Sequence, residues 1–331
     1  MNVAGIDVGA KHLVAAIAAA SPVKPSSFAN HHEGFSDLYQ WLRKHRVKRV
    51  VLEATGVYHL DLALYLHNRK GIELMVLNPK AAKHFAEARQ TRSKTDRIDA
   101  QGLAEFGQRM PFEPWQPPRD QALAVRACSR RLAALTHQRT RAKNQLHALR
   151  STHSTPAFIL EDVQRSIAQL NQQIKTLQAK TVQLIRQDPE LQHRFELLLS
   201  VKGIGEKSAI QLLGELLVLP PDMRAKQWVA MAGLDPRQHQ SGTSVDKKAR
   251  ISKAGNRYLR TALYMPALVV SHHVPQAKAY YEHLINDRGL KKIQAVCAVM
   301  RKLLHAIHAI WKTNTTFNPE RFYRANSHAQ S

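Results

Sequence analysis

The sequence predicts an α/β amino-terminal domain followed by two α-helical regions, and three observations carry that reading. Up to about residue 110, short β-rich runs alternate with stretches of helical periodicity. The segment FEPWQPPRD at 112–120 then brings three prolines, which fit neither a helix interior nor a central strand. Beyond it, apolar residues recur at three-four spacing almost to the end.

In chain order, NVAGIDVG and HLVAAIA read as paired strands and FSDLYQWLRKH as an amphipathic helix. KRVVLEAT follows as a buried strand, LDLALYLHNRK as a helix, IELMVLNP as a strand and PKAAKHFAEAR as a helix opened by proline. After the proline segment, Leu132, Leu135, Ala142, Leu146 and Leu149 mark one apolar seam, and Val163, Ile167, Leu170, Ile174, Leu177 and Leu184 mark a second. Such seams fit a dimerising coiled coil or a helical hairpin within one chain, and the spacing leaves both open. The last third reads as helices in LLLSVKGIGEKSAIQLLGELL, AKQWVAMAGL and NRYLRTALYMPALVV, with a polar loop before the last of these. A closing amphipathic helix carries the stripe Ile293, Val296, Cys297, Met300, Leu303, Leu304, Ile307 and Ile310, and a loose tail is expected after Trp311. The expected domains are 1–111, 112–194 and 195–331.

Charge narrows the partner class. The 49 Lys and Arg against 25 Asp and Glu give a net charge of +24, with a sequence pI near 10.3. An excess of this size repels itself unless a polyanion is the usual partner, which points to nucleic acid. No lipidation motif or basic helix with aromatic anchors is found, so no membrane partner is expected. Cys128 and Cys297 stand apart with no metal-ligand spacing, which excludes a disulfide framework and a zinc knuckle. The start MNVAGIDVGAK has no charged region followed by an apolar core, so a cytoplasmic protein is expected.

Four acids stand out. Asp7 closes the first strand and Glu53 closes a later buried strand. Asp96 and Asp99, three positions apart in SKTDRIDA, project from one side of a helix start. A strand-end carboxylate is costly to desolvate without a partner, and four together repel one another unless a cation lies among them. Hard oxygen donors without Cys or His would select Mg²⁺ or Mn²⁺, the ions that neutralise charge during reaction at phosphorus. Taken singly each acid has a plainer reading, Asp96 as a first-turn acid facing the helix dipole above all.

Further on, VKGIGEKSA has the form of a hairpin between two short helices. Gly203 and Gly205 would let the backbone approach a phosphate there, and Lys202 and Lys207 would add charge. Ser241 precedes a glycine, ordinarily just a turn, and the local pattern supplies no base for it. The run KKARISKAGNRYLR offers Lys247, Lys248, Arg250, Lys253, Arg257 and Arg260 without an acid, as suits a helix lying along phosphates.

Together, Asp7 in GIDVG, Glu53 in LEATG, TDRIDA, GIGEKSA, and AGLDPRQHQSGTSV followed by RISKAGNRYLRTALYMPA resemble the DEDD recombinases of the insertion sequence 110 family. The resemblance spans nearly the whole chain, although the middle region matches only in being helical. It implies a RuvC-like catalytic domain of the ribonuclease H fold, a coiled-coil insert, and an α-helical transposase domain with a helix-hairpin-helix-like element. It also implies that Asp7, Glu53, Asp96 and Asp99 hold Mg²⁺ and that Ser241 attacks DNA and becomes joined to a 5′-phosphate. A non-coding bridge RNA would pair with donor and target DNA. Dimers would assemble into a tetramer in which acids of one subunit meet the serine of another. The absence of a recognised major-groove reading module agrees with sequence readout by a guide. Three other readings compete: a RuvC-like structure-selective endonuclease using water, an actin-like or sugar-kinase-type ATPase, whose first phosphate loop GIDVGAKHLVAAI loosely matches, and a non-catalytic nucleic-acid-binding protein with structural acids.

Overall fold

A computed structural model describes residues 1–19, 23–90, 93–241 and 245–323, apart from the side chains of 238–241 and 245–249. The chain divides into two compact units, Met1–Pro117 and Pro118–Ser331.

The first unit is a five-stranded mixed sheet with helices on both faces, in the order β3-β2-β1-β4-β5. β1 (Asn2–Val8) lies at the centre, antiparallel to β2 (His12–Ala18) and parallel to β4 (Val47–Glu53). β5 (Glu73–Leu77) extends the parallel side, and β3 (Ser26–Ala29) closes the antiparallel edge. That edge strand escapes the sequence reading because SSFA is short and only half-buried, so it carries no apolar alternation.

One face buries Ala4, Ile6 and Val8 against α1 (His32–Lys44) and α2 (Leu60–His67). Phe35, Leu38 and Leu42 of α1 are all buried and contribute about 2 kcal/mol each. The other face carries Val3, Val51, Met75 and Leu77, covered by Leu103 and Phe106 of α4 (Asp96–Arg109) with α3 (Pro79–Ala88) alongside. The proline segment does not leave the unit at once: Trp115 donates its backbone N–H to the Leu74 carbonyl at 2.6 Å and packs on the α1–α2 side core.

The second unit opens with two long helices, α5 (Asp120–Arg150) and α6 (Ala157–Arg186). They fold back on each other as an antiparallel hairpin within the chain, with Arg139 donating to Asn171 at 3.1 Å across the pair. Leu132, Leu135, Val163 and Ile174 are buried, whereas Leu146, Leu149, Ile167 and Leu170 are half-buried. α7 (Pro189–Leu199) and α8 (Glu206–Leu216) flank the glycine turn, and α9 (Ala225–Ala232) follows.

Four expectations are corrected here. The polar loop is instead a two-stranded antiparallel hairpin of β6 (Pro236–Ser241) and β7 (Val245–Ile251). The basic run is therefore not one helix: residues 247–251 belong to β7, and helix α10 (Arg257–His273) begins only after Asn256, which caps it by accepting from the N–H groups of Tyr258 and Leu259. After α11 (Pro275–Asn286) and α12 (Lys292–Thr313), the chain as far as residue 323 is not loose, and the remainder of the expected tail lies outside the described residues. The described part forms a single 3₁₀ turn (Pro319–Arg321), and Phe322 is buried in the main core. α12 is long and apolar enough to cross a membrane by length and composition, yet Val296, Met300, Leu303, Leu304, Ile307 and Ile310 lie in that same core. Ile293, expected in the stripe, is 54 % exposed because it stands in the first turn of the helix.

Candidate active site

The first unit sets its four acids at one end of the sheet through one close approach. Ile6 of β1 is the register partner of Leu52 on β4, so Asp7 and Glu53, each one residue further on, share a face at neighbouring strand ends. Gly5 lies two residues before Asp7 on that face. A β-carbon there would meet the Ala100 carbonyl oxygen at 2.1 Å and the Ala104 nitrogen at 2.2 Å, so only glycine lets the backbone of α4 rest on β1. Further along the helix, a β-carbon on Gly107 would meet Val51 at 2.5 Å and Val3 at 2.9 Å. α4 therefore runs antiparallel to β1.

The helix advances about 1.5 Å per residue and the strand about 3.3 Å, so the two strand residues from Gly5 to Asp7 match roughly four residues of helix. Counting back from the Ala100–Ala104 contact reaches the first turn of α4, where Asp96 and Asp99 stand. Thr95 is the helix cap, accepting from the Ile98 N–H at 3.3 Å, and Asp96 follows it as an exposed acid of the first turn. At its other end α4 is pinned by Glu105, which pairs with Arg89 at 2.9 Å, both side chains being largely buried.

Asp7 reports this crowding. Its carboxyl is pushed up to about 6, first by burial and then by the charges of Asp96, Asp99 and Glu53. Glu53 also accepts from the Thr55 hydroxyl at 3.3 Å. Glu53 and Asp99 border a cavity of about 500 Å³ whose wall includes Lys83, Lys94 and Ser93, groups suited to a phosphate and not singled out in the sequence. Among the described residues no three His, Cys, Asp or Glu side chains converge within reach of one ion. By chemical type the four carboxylates, with no softer ligand among them, suit a hard divalent cation, and Asp7 is held back from ionising first by burial and then by its like-charged neighbours.

Ser241 belongs to the second unit, at the end of β6 and in register with Val245; its side chain, like those of Lys247 and Lys248, lies outside the described residues. The base of its hairpin is fastened. Ser252 donates its hydroxyl to Asp235 at 2.6 Å and its N–H to the Asp235 carbonyl at 2.8 Å. Arg260 donates through one guanidinium nitrogen to the carbonyls of Ala232 at 2.9 Å and Gly255 at 3.3 Å. Lys202, Arg250, Lys253 and Arg257 are exposed. In the glycine turn, Gly203 has φ +97° and packs on α10, where a β-carbon would meet Val269 at 3.0 Å. Gly205 caps α8 with open space before it. Lys207 is half-buried, and burial, then Arg139, pushes its pKa down.

Sequence reasoning missed the buried hub behind this region. Glu215 of α8 is fully buried. It accepts from Arg130 at 2.8 and 3.2 Å and from the Asn256 amide at 2.6 Å, with Arg126 at 3.7 Å. Burial alone would raise its pKa, but the hydrogen bonds from Arg130 and Asn256 and the charges of Arg130 and Arg126 outweigh it and hold the group below its ordinary value. Asn256 thus joins the cap of α10 to α5 and α8. The signal was present: Glu215 is the single acid inside the apolar run LLGELL.

Residues 4–153 match the transposase family DEDD_Tnp_IS110, and residues 195–282 match the transposase IS116/IS110/IS902 family. The pilin gene-inverting proteins of Moraxella bovis and Moraxella lacunata are each 32 % identical to this chain, over 321 and 325 residues, covering 95 % of it and 97 % of their own length. The transposase for insertion sequence element IS1111A of Coxiella burnetii is 24 % identical over 302 residues, 82 % of this chain and 80 % of its own. Among solved structures, T. thermophilus RuvC in complex with Holliday junction substrate aligns with 35 % of this chain and 99 % of its own, at 17 % identity and a TM-score of 0.29.

Proposed function

This chain belongs to the IS110 family of transposases, enzymes that act on DNA, and from that premise we propose that it is an RNA-guided recombinase that cuts and rejoins donor and target DNA through a 5′-phosphoserine intermediate. The observation that carries the proposal is the placement of Asp7 and Glu53 on adjacent strand ends beneath the first turn of α4, which bears Asp96 and Asp99. The relatives named for inverting a pilin gene support cutting coupled to rejoining, since an inverted segment has to be reconnected at both ends.

In this reading Asp7, Glu53, Asp96 and Asp99 hold Mg²⁺, with Mn²⁺ as a substitute. An ion held there would supply positive charge to offset the negative charge that develops during phosphoryl transfer. Ser241 Oγ forms a bond to phosphorus, the bond from phosphorus to the 3′-oxygen breaks, and the serine proton is released while the 3′-oxygen leaves as a hydroxyl. A serine hydroxyl is a weak nucleophile at neutral pH, so attack waits for assembly of the acid site. The phosphodiester linkage is conserved in the phosphoserine, and the reverse attack by a 3′-hydroxyl of the other DNA reseals the strand without ATP.

The remaining partners follow from the same reading. A bridge RNA supplies sequence recognition by base pairing, leaving the protein to grip backbones through Lys202, the Gly203–Gly205 turn, Lys207, Lys247, Lys248, Arg250, Lys253, Arg257 and Arg260. Two chains associate along the half-buried tip of the α5–α6 hairpin as a coiled coil, and dimers pair into a tetramer that places Ser241 of one subunit at the acids of another. The reaction takes place on DNA in the bacterial cytoplasm.

Replacing Asp7, Glu53 or Asp99 by Ala tests the assignment in a reconstituted reaction with RNA, donor and target. Strand exchange is expected to be lost while RNA binding survives. Normal exchange by Asp7→Ala protein would remove the metal site from the account.

A further inference from the structure

The end of α12 and the segment after it enclose a cavity of about 620 Å³, within the size range of small-molecule pockets, roughly 300–1,000 Å³. Lys302, His305 and Arg321 reach its wall with the hydroxyl of Thr316 and the rings of Phe317 and Phe322, and no acid lines it among the described residues.

Lys302 is held in place before any ligand arrives. Its ammonium lies 4.5 Å from the ring centre of Tyr280, 5.1 Å from Tyr323 and 5.9 Å from Phe322. Burial pushes its pKa down, and His305 is pushed down first by burial and then by Arg301, His308, Lys226 and Lys302. Among the described residues none of Arg301, Lys302 and Arg321 is paired with a carboxylate. Crowded like charges of this kind are relieved by an anion, and exposed arginine beside aromatic rings is the chemistry that takes a phosphate together with a base.

We propose that this cavity binds one unpaired nucleotide of a single-stranded nucleic acid, its phosphate against Lys302 and Arg321 and its base against Phe317. The site lies outside both the acid cluster and the basic runs assigned above. It depends on the chain acting on nucleic acid and on neither Ser241 nor a metal, so its failure would leave the strand-transfer reading untouched.

The test measures fluorescence anisotropy of labelled single-stranded RNA and same-sequence DNA with the full-length protein, in EDTA so that cleavage is silent. Lys302→Met, which keeps the apolar stem, and Arg321→Gln are each expected to weaken binding roughly tenfold. Each should also reduce the steepness of log Kd against log salt by about 0.7. Loss confined to RNA identifies a nucleotide of the guide, and loss confined to DNA identifies a nucleotide of a cut strand. Unchanged affinity and salt dependence in both arms, with unchanged thermal unfolding, would overturn the proposal. Should the variants unfold, photocrosslinking of the wild-type protein to iodouridine-bearing oligonucleotides decides it: crosslinks within 313–323 are expected, and crosslinks confined to other segments would overturn it.

Discussion

Gly5 and Ala100 touch backbone to backbone: a β-carbon on Gly5 would lie 2.1 Å from the Ala100 carbonyl oxygen. That contact lays α4 on β1 and so decides where Asp96 and Asp99 stand relative to Asp7. Gly5→Ala must push the helix off the strand, at a cost of about 3 kcal/mol. Hydrogen-exchange mass spectrometry is expected to show lost protection in both β1 and α4, with strand exchange falling alongside it.

Thr95 fixes the start of the same helix by capping it through its hydroxyl. Thr95→Ala is expected to cost about 1 kcal/mol and Thr95→Ser to restore most of it. Because the first turn carries two acids, the Ala variant should also need more Mg²⁺ for half-maximal strand exchange, a shift that titration of the reaction with Mg²⁺ measures.

Asp7 gives the metal-free protein a pH dependence. Its carboxyl lies near 6 in the folded chain against an ordinary value of 3.8, so the folded state holds a proton that the unfolded state has released across that window. Stability present below pH 4 is therefore lost as pH rises through 6. Asp7→Asn should remove this slope and raise the melting temperature in EDTA at pH 7.5 by a few degrees, the gain being modest because the group is partly exposed. Mg²⁺ should raise the melting temperature of the wild type more than that of the variant.

Glu215 shows the opposite sign. Its carboxyl is held below the ordinary value of 4.5, so its contribution is complete above pH 4.5 and is lost as pH falls through the folded pKa. Glu215→Ala leaves Arg130 and Arg126 without their buried partner and is expected to destabilise the second unit by about 3–5 kcal/mol. Urea unfolding at pH 7 and at pH 4 separates the two effects: the wild type weakens in acid and the variant changes little.

Much of this was legible in the sequence because strand-end carboxylates and apolar periodicity are local patterns. Asp7, Glu53, Asp96 and Asp99 stood out by type and position, and the first unit brings those four to one sheet end. What stayed hidden depended on contacts between distant residues. The role of Gly5 needs the backbone of Ala100, ninety-five positions on, and the role of Asn256 needs the buried Glu215. The hairpin of β6 and β7 was hidden for another reason: PRQHQS and VDKKARI pair through their backbones without an apolar stripe to announce them. The segment after Trp311 reads as loose because its anchors, Phe317, Phe322 and Tyr323, are scattered among polar residues and make no periodic apolar stripe.

The most direct test of the central claim is peptide mapping by mass spectrometry of the covalent product formed on a donor DNA with RNA and Mg²⁺. The account predicts a DNA-linked peptide containing Ser241 that disappears in both Ser241→Ala and Asp7→Ala proteins. Cleavage that persists in Ser241→Ala protein and leaves a free 5′-phosphate would contradict it, and would make water the nucleophile.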